Sequence, residues 1–273
     1  NGGATALSIA TDTAALTITP VNDAPVVTTS GGSASYAENG PGAPIDSALT
    51  VTDIDSSTLF TASVRITPGT FQSGQDILSF SNSDAALFGN VSASYDSGTG
   101  VLSLASAGGT ATLAQWQAVL RSVRYSNTSE SPVTTDRQME FSAGDGNLSS
   151  AIASRTVSVT SVADFPSITN AITNEDTQST TGLVISRNAV DGAEVTHFKI
   201  TGISGGTLFL NDGTTAIADG SFITFAQGNA GLKFTPTANS FGSGSFDVQG
   251  ATSAAGAGLS PATFASITVN PVA

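Results

Sequence analysis

Asp53 and Asp55 stand two residues apart in Thr52-Asp53-Ile54-Asp55, just past the alternating stretch Leu49-Thr50-Val51-Thr52. In a turn leaving a strand, side chains at i and i+2 can aim their oxygens at one point, and a hard cation such as Ca2+ takes about six to eight oxygens. Other carboxylates of the same region also fall beside turns: Asp23, Glu38, Asp136 and Asp145. Two readings fit such acids. They are solvated loop charges, or they hold a cation that cancels their mutual repulsion. Composition adds acid without choosing between these: 21 acidic and 8 basic side chains give a formal net charge of −13. That balance argues against nucleic acid as a partner, because phosphate binding needs clustered Lys and Arg.

Other chemistry finds little support. His197 is the only histidine and lies between Thr196 and Phe198 in an alternating stretch. A Ser-His-Asp relay would need a nucleophile elbow, and Gly242-Ser243-Gly244-Ser245 is not G-x-S-x-G. Hydrolysis by paired carboxylates needs only two acids, yet sugar subsites want aromatic walls and aromatic content is 7%. There is no Gly-rich phosphate loop. With no cysteine, disulfides, thiolate catalysis and sulfur-rich zinc sites are all removed. The chain is therefore read as a non-enzyme.

The elements that must position the acids are strands. Apolar residues fall at every second position in Val64-Arg65-Ile66-Thr67, Ile77-Leu78-Ser79-Phe80, Val101-Leu102-Ser103-Leu104 and Leu232-Lys233-Phe234-Thr235. Gly206-Thr207-Leu208-Phe209-Leu210 runs into Asn211-Asp212-Gly213, a hairpin signal, and Phe222-Ile223-Thr224-Phe225 reads as another strand. One segment departs from the pattern. Thr112-Leu113-Ala114-Gln115 has the form of a capping box, and Trp116, Val119 and Leu120 follow at helical spacing, which predicts one short helix at about residues 113–121. The only tryptophan is then a core plug beneath that helix or, on the other reading, a ligand platform. No apolar run reaches the ~18 residues needed to span a membrane.

A phrase recurs at intervals: strand, small acidic turn, proline. Leu16-Thr17-Ile18-Thr19 leads to Val21-Asn22-Asp23-Ala24-Pro25, and Val157-Ser158-Val159 leads to Ala163-Asp164-Phe165-Pro166. Ser266-Ile267-Thr268-Val269 begins a third copy. Repeated strand-to-strand junctions mean tandem modules. The expected fold is all-β, with β-sandwich modules and at most short helices. Residues 25–165 form a first module and residues 166–273 a second. Residues 1–24 supply a linker and the last strands of a preceding module, including Ala6-Leu7-Ser8-Ile9. The chain opens in mid-phrase at Asn1-Gly2-Gly3 without a visible signal peptide, as an excised part of something longer would.

Val21-Asn22-Asp23-Ala24-Pro25, Tyr36-Ala37-Glu38-Asn39 and Thr52-Asp53-Ile54-Asp55 together resemble the cadherin-like (Ig-like) repeats that occur in tandem in very large bacterial surface and secreted proteins. Thr135-Asp136-Arg137-Gln138 resembles the family's Asp-Arg-Glu segment with Gln138 in place of the acid, and Ala143-Gly144-Asp145-Gly146 its late Asp-Gly turn. The segment around Trp116 is not part of the plain cadherin pattern. In the second module Asn174-Glu175-Asp176 stands where Glu38-Asn39 stood and Asp191 where Asp53 stood. Ala193 replaces the second acid of the pair, with Glu194 beside it as a substitute.

The resemblance implies Ca2+ held at module poles. Asn22, Asp23, Glu38, Asp53, Asp55 and Asp145 are the first-module candidates, and Asp136, Asp164, Asp191 and Glu194 those of the second junction. The lost pair and the missing linker asparagine make the second junction the weaker expectation. The implied function is a calcium-stiffened structural or adhesive segment of a large extracellular bacterial repeat protein. Its partners would be neighbouring modules, cell-surface glycans or like proteins. The alternative is a carbohydrate-binding sandwich, for which Tyr36, Tyr95, Tyr125 and Trp116 are the candidate platforms.

Overall fold

The computed structural model describes residues 13–273. Two separate apolar cores account for its architecture. One gathers side chains from Val27 to Val159, the other from Ala163 to Val269.

Module one runs β1 (Val26–Thr28), β2 (Ser33–Ala37), β3 (Ala43–Pro44), β4 (Thr50–Thr52), β5 (Thr61–Ile66), β6 (Asp76–Ser79), α1 (Ala85–Phe88), β7 (Val91–Asp96), β8 (Val101–Ser106), α2 (Leu113–Ser122), β9 (Arg124–Asn127), β10 (Arg137–Gly144) and β11 (Ala153–Thr160). Six strands make one sheet in the order β2-β11-β10-β5-β8-β7; the pair β1-β4 and the trio β3-β9-β6 complete the sandwich. The alternation is physical: Ala62, Val64 and Ile66 on β5 are buried, while their neighbours on the strand are exposed or half-buried.

Module two runs β12 (Ser167–Ile168), β13 (Ala171–Asn174), β14 (Ile185–Ser186), β15 (His197–Ser204), β16 (Gly206–Phe209), β17 (Phe222–Thr224), α3 (Phe225–Asn229), β18 (Lys233–Pro236), β19 (Gly242–Ala251) and β20 (Thr263–Asn270). Its main sheet, β13-β20-β19-β15-β17, repeats the order of module one. In both, the early strand joins the last one in parallel: β2 on β11 and β13 on β20.

The helix expected at 113–121 is α2, and its capping box is formed. The Thr112 hydroxyl accepts from the Gln115 N–H, and the Gln115 side chain accepts from the Thr112 N–H. Trp116 is fully buried, its indole N–H donating to the Leu59 carbonyl at 2.9 Å. Beyond that one expected helix, the chain has α1 and α3 as well. Phe225, read as the end of a strand, instead opens α3. The cause is a second capping box of the same form, Thr224-Phe225-Ala226-Gln227. The segment outside the plain cadherin pattern thus occurs in both modules. Where α2 plugs the core with Trp116, α3 has Gly228 against Phe198, and a Cβ there would come within 2.7 Å of the ring. Thr224→Ala should cost about 1 kcal/mol through loss of the cap, read as a lower urea midpoint; an unchanged midpoint would mean that tertiary packing alone holds α3.

Two further expectations need correction. Leu16–Thr19 is not a strand: Leu16 and Ile18 are 87% and 80% exposed, and no described segment pairs with them. An alternating pattern makes a strand only where a sheet edge and a core receive it. The other segment read this way, Ala6–Ile9, lies outside the described residues. At Asn211-Asp212-Gly213 the chain does turn, with the Leu210 N–H on the Thr215 carbonyl, but the return makes a single bridge, Phe209↔Ala216. β16 takes β18 as its ladder partner instead. The returning stretch offers one buried apolar residue, Ile217, whereas β18 brings Phe234 into the core.

Candidate metal centre

Glu38 directly follows β2, and pairing carries it there: the Glu38 N–H donates to the Thr160 carbonyl at the end of β11. One carboxylate oxygen accepts from the Val162 N–H at 2.9 Å, inside the linker between the modules. The other, Oε1, is buried and has no partner. Asp191 in module two is fully buried; its Oδ1 accepts from the Asp164 N–H at 3.0 Å and its Oδ2 is likewise unpartnered. Glu194 Oε1 is the third such oxygen.

The carboxylates at this junction shift one another's ionisation. Burial first, then the charges of Glu194, Asp164 and Glu130, push Glu38 up to about 7 against the pull of the Val162 N–H. Burial and then the Asp164 charge raise Asp191. Burial and the charges of Asp191 and Asp164 raise Glu194, which also meets the hydroxyls of Ser131 and Ser161. Buried carboxylates without cationic partners are costly. Among the described residues no group of three or more His, Cys, Asp or Glu side chains is placed so that it could hold a metal ion. The donor set is nonetheless all oxygen and anionic, the chemistry a hard cation requires. Glu38, grouped by sequence with the first-module candidates, thus touches the linker of the second junction.

The first pole is more open. Asn22 donates its side-chain amide to Asp145 Oδ2 at 2.8 Å, and the Asp23 N–H donates to Asp55 Oδ2 at 2.9 Å. Asp53 Oδ1 accepts from the backbone of Asp55 and Ser56, leaving Oδ2 buried and unpartnered. Asp145 is held below the usual carboxylate range by the Leu148 N–H, then by the Asn22 amide. The linker and the late Asp-Gly turn thus meet here, as do the linker and the Asp53/Asp55 pair. Asp136 joins neither group: it is exposed and takes no hydrogen bond from a described residue.

Glu175 was left out of the candidates although its place in Asn174-Glu175-Asp176 was visible. It repeats Glu38 contact for contact. The Glu175 N–H donates to the Asn270 carbonyl, and Glu175 Oε1 accepts from the Val272 N–H at 2.8 Å. Asn39 and Asp176, the residues that follow, both adopt φ of 58°. The repeat of one carboxylate on one strand-end linker contact, within one repeated strand order, decides the architecture. Both modules are all-β sandwiches built on one strand order.

No protein-family model matches the chain. Over 120 residues it is 40% identical to halomucin of Haloquadratum walsbyi, a stretch that is 44% of this chain and 1% of that protein. The chain thus spans a very small part of the curated relative it matches. Among solved structures it is similar to mouse cadherin-23 EC22-24 (10% identity, TM-score 0.39, 92% of this chain and 67% of that one) and to protocadherin gamma B2 domains 3-6 (13%, 0.40, 94% and 53%). The fibronectin(III)-like modules of Clostridium thermocellum CbhA also match, at 10% identity and a TM-score of 0.24 over 90% of this chain and 94% of theirs.

Three of the four aromatic candidates are buried and Tyr95 is half-buried. Tyr36 and Tyr125 pack edge to face at 5.4 Å in the core, Trp116 lies beneath α2, and Tyr95 donates its hydroxyl to the Asp76 carbonyl. Tyr36, Tyr125 and Trp116 therefore present no open ring face. His197 begins β15 with Nδ1 on the Thr196 hydroxyl. No helix of the described residues is long and apolar enough to cross a membrane.

Proposed function

We propose that this chain is a load-bearing spacer of a very long extracellular adhesion-type protein, whose module junctions are stiffened by Ca2+. The observation that carries the reading is the set of three buried, unpartnered carboxylate oxygens at the second junction: Glu38 Oε1, Asp191 Oδ2 and Glu194 Oε1. Glu38 belongs to module one, Asp191 and Glu194 to module two, and Asp164 to the linker. A cation there would be held by all three parts, and it would supply the positive charge that the donor set lacks. The residues do the rest. The Val162 and Asp164 N–H groups fix one oxygen each of Glu38 and Asp191, which leaves the other oxygen of each free for a cation. Similarity to halomucin, of which 120 residues are 1%, supports the setting of a very large protein.

Three orphaned oxygens against one favour the second junction over the Asp53/Asp55 pole, the reverse of the order expected from the sequence. Glu175 is proposed as the same ligand at a third pole. Calorimetric titration of the intact chain with Ca2+ is expected to show binding at about 10⁻⁴–10⁻³ M, the range of extracellular modules. Absence of binding at tens of millimolar would leave a plain spacer with an acidic surface.

A further inference from the structure

Three Asn-x-Ser/Thr triplets occur in the chain, all in module one: Asn90-Val91-Ser92, Asn127-Thr128-Ser129 and Asn147-Leu148-Ser149. Such a triplet is an acceptor for N-linked glycan only where its amide can be presented on the surface. The fold separates the three. Asn127 is buried; its amide donates to Asp76 Oδ1 at 2.7 Å and its Oδ1 accepts from the Ser129 N–H. A glycan there would break the polar centre of the core. Asn90 is exposed but engaged at both ends, its amide donating to the Ala107 carbonyl at 2.8 Å and its Oδ1 accepting from the Ser106 hydroxyl at 2.6 Å.

Asn147 differs. It stands on an exposed turn whose backbone is pinned by Asp145, which accepts the Asn147 and Leu148 N–H groups at 2.7 Å each. Its side-chain amide donates to no group among the described residues. Beside it lies a shallow hollow of about 250 Å³ lined by Phe60, Gly146, Asn147, Leu148 and Ser149. Phe60 is 42% exposed, one of the few aromatic rings at the surface. Gly146, at φ +98°, keeps the approach open, since a Cβ there would meet the ring at 3.0 Å. A pyranose presents C–H bonds whose positive edge suits the negative face of an aromatic ring.

We propose that Asn147 carries an N-linked glycan whose first sugar packs on Phe60. In the transfer the Asn147 amide nitrogen bonds to the anomeric carbon of a polyprenyl-pyrophosphate-linked oligosaccharide. The anomeric C–O bond breaks, its electron pair leaves with the pyrophosphate, and the nitrogen loses one proton. Nothing is oxidised or reduced. This goes beyond the calcium reading and stands without it, apart from the shared requirement that the chain passes through an export route.

The test is secretion of the chain from a host whose oligosaccharyltransferase uses this triplet, followed by amidase release in heavy-oxygen water, which marks each formerly glycosylated asparagine as aspartate. The mark is expected on Asn147 and absent from Asn127. Both Asn147→Gln and Ser149→Ala should remove it, and the second keeps the asparagine in place. Enzymatic deglycosylation should lower the melting temperature of the wild-type protein and leave that of Phe60→Ala unchanged. An unmodified Asn147 in the secreted, folded chain overturns the proposal. So does an equal melting loss in Phe60→Ala, which would separate the glycan from the ring.

Discussion

Asp76→Ala should destabilise module one by about 3–5 kcal/mol, the cost of leaving a buried charge without its partner. Asp76 was not singled out by its sequence, yet it organises the polar centre of this module. Its carboxylate takes Arg137 Nε at 2.9 Å, the Tyr125 hydroxyl at 2.6 Å, the Asn127 amide at 2.7 Å and the Gln72 N–H at 2.8 Å. Both members of the ion pair have fully buried side chains. Removing the acid strands a guanidinium, a phenol and an amide together. Trp116, the single tryptophan, lies in the same core and reports this transition by fluorescence during urea denaturation. Adding Arg137→Met should recover part of the loss, because it removes the uncompensated charge. A wild-type urea midpoint for Asp76→Ala would show that the network contributes nothing to stability.

Arg137 marks where sequence reading reached its limit. Thr135-Asp136-Arg137-Gln138 was legible as a segment resembling Asp-Arg-Glu, but which of its side chains face the junction depends on how β10 sits. The pleat turns Arg137 inward to Asp76 and leaves Asp136 exposed. A period of two assigns faces only once the register is known. The strands with strict alternation, β5, β8 and β11, were readable for the same reason that they form: one face is buried. β7 was not, since its interior is nearly all exposed. The second capping box was as visible as the first, but Thr224-Phe225-Ala226-Gln227 follows an apolar pair and precedes Gly228, so no helical repeat of large residues follows it. Among the acids, types and turn positions were legible, whereas grouping was not. Glu38 lies far in sequence from Asp164 and Asp191, and only the parallel β2-β11 pairing brings it to the linker.

Ca2+ should raise the melting temperature, and by more at about pH 8 than at about pH 5, because the ion takes the deprotonated carboxylates. In chelator the sign is set by Glu38. Its pKa rises from an ordinary 4.5 to about 7 on folding. Between those values the folded chain holds a proton that the unfolded chain has released. The associated stability is therefore present below about pH 4.5 and is lost as pH rises through about 7. Asp191 and Glu194, also raised, add in the same direction, and Glu194, Asp164 and Glu130 are the charges that Glu38 faces. A cation at a hundredfold excess over its Kd would return about 2.7 kcal/mol. Glu38→Gln combined with Asp191→Asn should flatten the fall in chelator and remove most of the calcium response. Asp53→Asn with Asp55→Asn should only blunt that response. Magnesium should substitute poorly, since it demands a stricter octahedral shell and releases its waters reluctantly. Superimposable melting curves in calcium and in chelator at about pH 8 would sink the claim. A response lost in the Asp53/Asp55 variant but kept in the Glu38/Asp191 variant would instead move the principal site to the first pole, because only that outcome makes the orphaned oxygens of the second junction irrelevant to the ion.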